Sequence, residues 1–207
     1  MRGHMFTRSF VQSALGGVLL VAASLPAAAH VGHGETQSFT HGFFHPLGGL
    51  DHILAMVSVG MLAALIGKRF GKRSIWALPV AFMAMMSVGA QLAIANFNLP
   101  FVELGISLSV VALGLAVALQ MPLPMIGGVV VVGFFALFHG FAHGAEIPID
   151  VSGASYGAGF LLATALLHLT GVGTGLVLGR WASAADLITR LTGVAIAVAG
   201  IGLVAAS

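Results

Sequence analysis

Apolar residues gather in six long runs, roughly 46–66, 75–95, 101–119, 125–143, 156–179 and 187–206, with short polar or turn-forming breaks between them. Each run is near the ~20 residues a helix needs to cross a bilayer. The breaks carry the expected punctuation: bases and glycines from Gly67 to Arg73, Asn96 to Pro100, Gln120 to Pro124, Gly144 to Ser155, and Arg180 to Asp186. None is long enough for a second domain. The pattern predicts an all-α, polytopic membrane bundle of about six transmembrane helices occupying residues 30–207.

Ahead of the first run, Arg2 and Arg8 precede an apolar stretch from Ala14 to Leu25, closed by Pro26-Ala27-Ala28-Ala29. A basic start, a short apolar core and small residues at its end predict a signal peptide over 1–29, cleaved so that the mature chain begins at His30. With that terminus outside, the remaining bases Lys68, Arg69, Lys72, Arg73, Arg180 and Arg190 all fall on the cytoplasmic side, as the positive-inside rule requires. Glu35, Glu103, Glu146 and Asp150 fall on the other. The expected location is the bacterial inner membrane, with both mature termini extracytoplasmic.

Composition agrees and narrows the chemistry. Of 207 residues 58% are hydrophobic and only 7% charged, with a mean hydropathy of +1.06, which excludes an ordinary soluble domain. Eight bases and a net charge of +2 offer no nucleic-acid surface. The absence of cysteine removes disulfides and thiolate ligands. Nine histidines outnumber the six acids, and that excess demands an explanation.

The first run opens His41-Gly42-Phe43-Phe44-His45-Pro46-Leu47-Gly48-Gly49-Leu50-Asp51-His52. Proline suits the first helical turn and disfavours helix just before it, so the regular helix is expected to begin at Pro46, with His45 at the outer mouth. In a continuous helix His45 and His52 would share a face yet stand about 10 Å apart along the axis, too far to hold one ion together. Pro46, Gly48 and Gly49 offer a place for the segment to unwind, as broken helices do around transported ions. The fourth run ends His139-Gly140-Phe141-Ala142-His143-Gly144-Ala145-Glu146. Four residues apart, His139 and His143 share a helical face and can chelate one ion, with Glu146 as a further ligand or as the group that fixes a histidine tautomer. His168 lies deeper, near the middle of the fifth run, and His30 and His33 form a capture cluster at the mature terminus.

A single intramembrane histidine is explained by one interhelical hydrogen bond. A carboxylate is harder to dismiss, since an aspartate at a helix centre costs about 3 kcal/mol and faces a cavity or a partner. Asp51 with His52, His139, His143 and His168 points to a cation path. Imidazole and carboxylate without thiolate suit nickel, cobalt, zinc or copper(II). The methionines do not cluster beside the histidines, so packing is their expected role. Gly171, Gly175 and Gly179, four residues apart, predict a face for close helix packing.

Two enzyme-like or cofactor readings compete. Gly153-Ala154-Ser155-Tyr156-Gly157 fits G-x-S-x-G, as an intramembrane serine protease would, although that motif needs a strand-to-helix elbow. Paired histidines can also bind haem axially, which leaves Asp51 and Glu146 unexplained. A zinc protease would need a glutamate directly after His139, where Gly140 stands.

His45-Pro46, Asp51-His52, Ala55-Met56 and Val59-Gly60, together with Phe138-His139-Gly140-Phe141-Ala142-His143-Gly144-Ala145-Glu146, resemble the signatures of the HupE/UreJ family of nickel and cobalt permeases. The resemblance implies an inner-membrane secondary permease that is not an enzyme and carries no prosthetic group. Its cargo would be Ni2+ or Co2+ destined for hydrogenase or urease assembly. It also implies metal-handling roles for His41, His45, Asp51, His52, His139, His143, Glu146 and His168.

Overall fold

A computed structural model of the chain describes residues 35–147, 152–178 and 184–207. The expected signal peptide, His30, His33, Asp150, Gly179 and Arg180 lie outside the described residues. Within them are seven α-helices and no strand: α1 Glu35–Gly48, α2 Leu50–Phe70, α3 Ala77–Ile94, α4 Val102–Ala118, α5 Met125–Ala145, α6 Gly153–Leu178 and α7 Ala184–Ala206, with a 3-10 turn Lys72–Trp76 leading into α3. Helices α2 to α7 correspond to the six apolar runs. Five segments are long and apolar enough to span a bilayer: Leu50–Phe70, Lys72–Ile94, Met125–Ala145, Gly153–Leu178 and Asp186–Ala206. The sixth, α4, has 17 residues, about 26 Å of helix, at the short end of the spanning range. Left-handed residues bound it, Phe101 at φ 59° and Gln120 at φ 46°.

The first run is built differently from the sequence expectation. Pro46 lies inside α1, and α2 begins only at Leu50, after an extended Gly49 at φ −103° and ψ 122°. Proline's missing N–H and ring end helices within a turn or so, and Gly48-Gly49 supplies the flexible residues at which the chain changes direction. Asp51 thereby enters the first turn of α2, where the helix dipole favours negative charge.

Helix α2 is central: 61% of its span is buried, against 28–33% for the other long spans. Ala55, Met56, Val59 and Ala63 are fully enclosed there, and Met56, Met61 and Met86 serve as core packing. Around α2, α3 pairs with α5, α4 with α7, and α6 with both α1 and α2. Lipid tails are as apolar as leucine, so these pairs must be held by close van der Waals fit. Glycine permits it: a Cβ on Gly171 would lie 2.1 Å from the Val57 carbonyl oxygen, and one on Gly140 would lie 1.9 Å from that of Met86. Gly171 and Gly175 of the predicted small-residue face of α6 therefore lie in the seam against α2. Large apolar side chains such as Val130, Phe134, Leu191 and Val198 point outward, as a lipid-facing surface requires.

Candidate metal centre

The C-terminal turn of α1, the N-terminal turn of α2 and the last turns of α5 meet at one end of the bundle. They bring His45, Asp51, His52, His139, His143 and Glu146 together. The break at Gly49 removes the continuous helix in which His45 and His52 would stand about 10 Å apart along the axis. Both touch His143, His45 through Nε2 at 2.9 Å from its Nδ1 and His52 through a close contact of the two Nε2 atoms.

The neighbours of these rings decide where their protons sit. Asp51 Oδ1 accepts the His52 backbone N–H at 2.8 Å and lies 3.0 Å from His52 Nδ1. A carboxylate only accepts, so Nδ1 of a neutral His52 carries the proton and Nε2 the lone pair. Ser109 Oγ donates its proton to the Ile106 carbonyl at 2.6 Å, so it accepts from His139 Nε2 at 2.7 Å. His139 Nδ1 is then the bare nitrogen, and it faces His52 Nε2 at 3.1 Å. Glu146 Oε2 lies 3.3 Å from His143 Nδ1 and only accepts, so the tautomer that bonds to it carries the proton on Nδ1 and leaves the lone pair on His143 Nε2. With that tautomer the lone pairs of His139 Nδ1 and His143 Nε2 both meet that of His52 Nε2. Without a proton or a cation among them they repel, and with a metal ion among them they are ligands. Carboxylate and hydroxyl partners of this kind orient metal-binding histidines generally.

A second donor group shares His143 from its other side. His45, His143 and Glu146 each offer a ligand atom, all within 4.8 Å of one another, with His45 Nε2 at 3.0 Å from Glu146 Oε2. A neutral imidazole has a single lone pair, so His143 serves either this group through Nδ1 or the deeper one through Nε2. The two groups differ in access: the Glu146 side chain is 56% exposed, whereas His52 is 4% and His139 0% exposed. The hydrogen bond from His143 holds the Glu146 carboxyl down at about 2 against its partial burial, helped by a hydrogen bond with His45. Tyr156 and Phe160 of α6 pack their rings on His45 and His143, closing the side of the site.

Other expected site residues lie apart. His41 is on α1 but exposed and outside both groups. His168 is deeper, as its place in the fifth run suggested. Its backbone meets α2 at Gly60, eight residues and so about 12 Å along the helix from His52. His168 is 1% exposed, and neither ring nitrogen has a hydrogen-bond partner among the described residues; the same holds for Thr164 Oγ1. Each such group costs about 1–3 kcal/mol to leave unsatisfied. Between His168 and the upper group stands the buried ring of Phe82, 5.2 Å from the His168 centroid and 5.6 Å from that of His139.

Ser109 and Phe82 were missed by sequence reasoning. Ser109 sits among apolar residues in α4 beside the equally plausible Ser107, and only the fold shows which hydroxyl reaches a histidine. The protease reading fares less well. Ser155 lies in the first turn of α6, not at a strand-to-helix elbow.

The chain matches the family model described as "HupE / UreJ protein" over residues 18–203. It is 42% identical over 185 residues to Protein HupE of Rhizobium leguminosarum bv. viciae, an alignment that covers 89% of this chain and 94% of that relative. No solved structure matches it.

Proposed function

The chain belongs to the HupE/UreJ family, and from that premise we propose that it is a secondary permease importing a divalent transition-metal ion, nickel or cobalt, for metalloenzyme assembly such as that of hydrogenase or urease. The observation that carries the reading is the convergence of three imidazole lone pairs, from His52, His139 and His143, whose protons are directed outward by Asp51, Ser109 and Glu146. Imidazole nitrogen with carboxylate oxygen, and no thiolate, is a donor set for borderline divalent ions such as nickel and cobalt.

In this reading the ion is cargo. It is captured by His45, Glu146 and His143 Nδ1, where Glu146 keeps its negative charge and the site is open. His30 and His33 supply it from the mature terminus. Movement to His52, His139 and His143 Nε2 strips water from the ion and needs the His143 proton to change nitrogens, so that one ring hands the ion from the open group to the enclosed one. Lys68, Arg69, Lys72 and Arg73 lie at the opposite end of α2, about 30 Å from Asp51. That separation supports an orientation with the histidine end outside and the basic end in the cytoplasm.

The test is accumulation of radiolabelled nickel, and separately cobalt, at nanomolar supply in metal-starved cells expressing the chain. Uptake of at least one ion well above the empty-vector level is expected. Absence of uptake of both ions from cells whose membranes contain the protein would sink the reading.

A further inference from the structure

Helix α6 carries two buried polar groups that the metal centre does not use. Thr164 and His168 stand four residues apart on one helical face, 0% and 1% exposed. Thr164 Oγ1 and both His168 nitrogens lack hydrogen-bond partners among the described residues. The anomaly is sharpest within the same helix. Thr170, exposed, and Thr174, half-buried, donate to the carbonyls of Leu166 and Thr170 one turn back, at 2.9 and 2.8 Å. That bond is the ordinary way a helical threonine satisfies itself. Thr164, buried where a partner matters most, does not make it.

His168 is held firmly. The α2–α6 seam at Gly60 and Gly171 brings the two backbones so close that neither glycine admits a Cβ. The imidazole meets the Phe82 ring edge to face at 81°, and the other neighbour of Phe82 is His139. One aromatic ring therefore separates the enclosed triad from the next imidazole inward. Fixed geometry, a buried histidine with unengaged nitrogens and a buried hydroxyl without a partner among the described residues are the properties of a site whose partner is transient.

We propose that His168 and Thr164 form an inner transit site for the same divalent cation, reached from the outer histidines when the Phe82 ring swings aside. This rests on the permease reading above. An imidazole nitrogen and a hydroxyl oxygen are acceptable donors for a borderline divalent ion. Two donors hold it more weakly than the outer group does, and passage requires sites from which an ion can leave. The inner site contributes to transit and not to capture.

Equilibrium nickel binding to the purified full-length chain and nickel uptake into proteoliposomes separate the two roles. His168→Phe is expected to bind nickel within about twofold of the wild type while its uptake falls at least about tenfold, the scale of losing a metal-handling group. Thr164→Val, which preserves shape and removes the hydroxyl, is expected to keep binding and lose uptake several-fold. If His168→Phe does not accumulate in the membrane, His168→Asn takes its place in both assays, with the same loss of uptake expected. Wild-type uptake in the His168 variant would overturn the proposal, as would a joint loss of binding and uptake, which would assign His168 to the outer group. A wild-type protein that neither binds nor transports nickel or cobalt would remove the permease reading itself, an outcome distinct from either.

Discussion

The histidines of this bundle fall into two neighbourhoods with opposite character. Around His143 the ring nitrogens have partners, and Asp51, Ser109 and Glu146 draw the protons to the periphery so that lone pairs face inward. Around His168 no such partners exist among the described residues, although the ring is as deeply enclosed as His139. The first neighbourhood is organised before any ion arrives, and the second carries the cost of burial without an obvious return. The difference teaches where capture and release should divide. Tight selection needs oriented donors, and onward movement needs a position that does not hold the ion too well.

The largest way to break that comparison is to strip the organised side. Asp51→Ala leaves His52 free to carry its proton on either nitrogen, and His52→Ala removes the ring that joins His139 to His143. Either change is expected to reduce nickel binding and uptake together by about 100-fold or more, above the usual 10–100-fold effect of groups that merely orient a ligand. Membrane levels of the protein should be unchanged. Binding and uptake at wild-type levels in both variants would take Asp51 and His52 off the route.

A smaller effect sharpens the role of proton placement. Ser109→Ala removes the acceptor for the His139 Nε2 proton, so the ring no longer favours presenting Nδ1 to the site. Binding is expected to weaken about tenfold, the lower end for an orienting partner. Ser58→Ala is the matched control: Ser58 is equally buried, but its hydroxyl donates to Leu54 in its own helix at 2.7 Å. It should leave binding within about twofold, since it orients no ligand. Equal behaviour of the two variants would show that Ser109 does no more than pack.

The six spanning runs, and the grouping of Asp51, His52, His139, His143 and Glu146 at one end, were legible because they follow from helical length and periodicity, which act locally. The site's inner geometry was not. Whether His45 can reach the ring that His52 touches depends on a change of direction at Gly49. The sequence marks that place with Pro46, Gly48 and Gly49 but does not say how sharply or on which side the chain turns. His41 illustrates the converse. It lies one turn before His45, yet it faces outward on α1. Ser109 was hidden for a third reason, since a hydroxyl becomes functional only through a neighbour thirty residues away in α5.

The gentlest perturbation of the organised neighbourhood is pH. Glu146 is held at about 2, first by the hydrogen bond from His143, so it remains a carboxylate throughout the range from about pH 5.5 to 7.5 and contributes no change there. A proton and a metal ion compete for the same imidazole lone pair, so protonation of a ligand ring removes the donor that the ion needs. Uptake should therefore be greatest at about pH 7.5 and decline as the external pH falls toward about 5.5. Proteoliposomes with the internal pH fixed would measure it directly. A decline steeper than about tenfold per pH unit would mean that more than one imidazole must be neutral together. A flat profile would mean that imidazole coordination does not limit entry, and the organised neighbourhood would then lose its claim to be the place of capture.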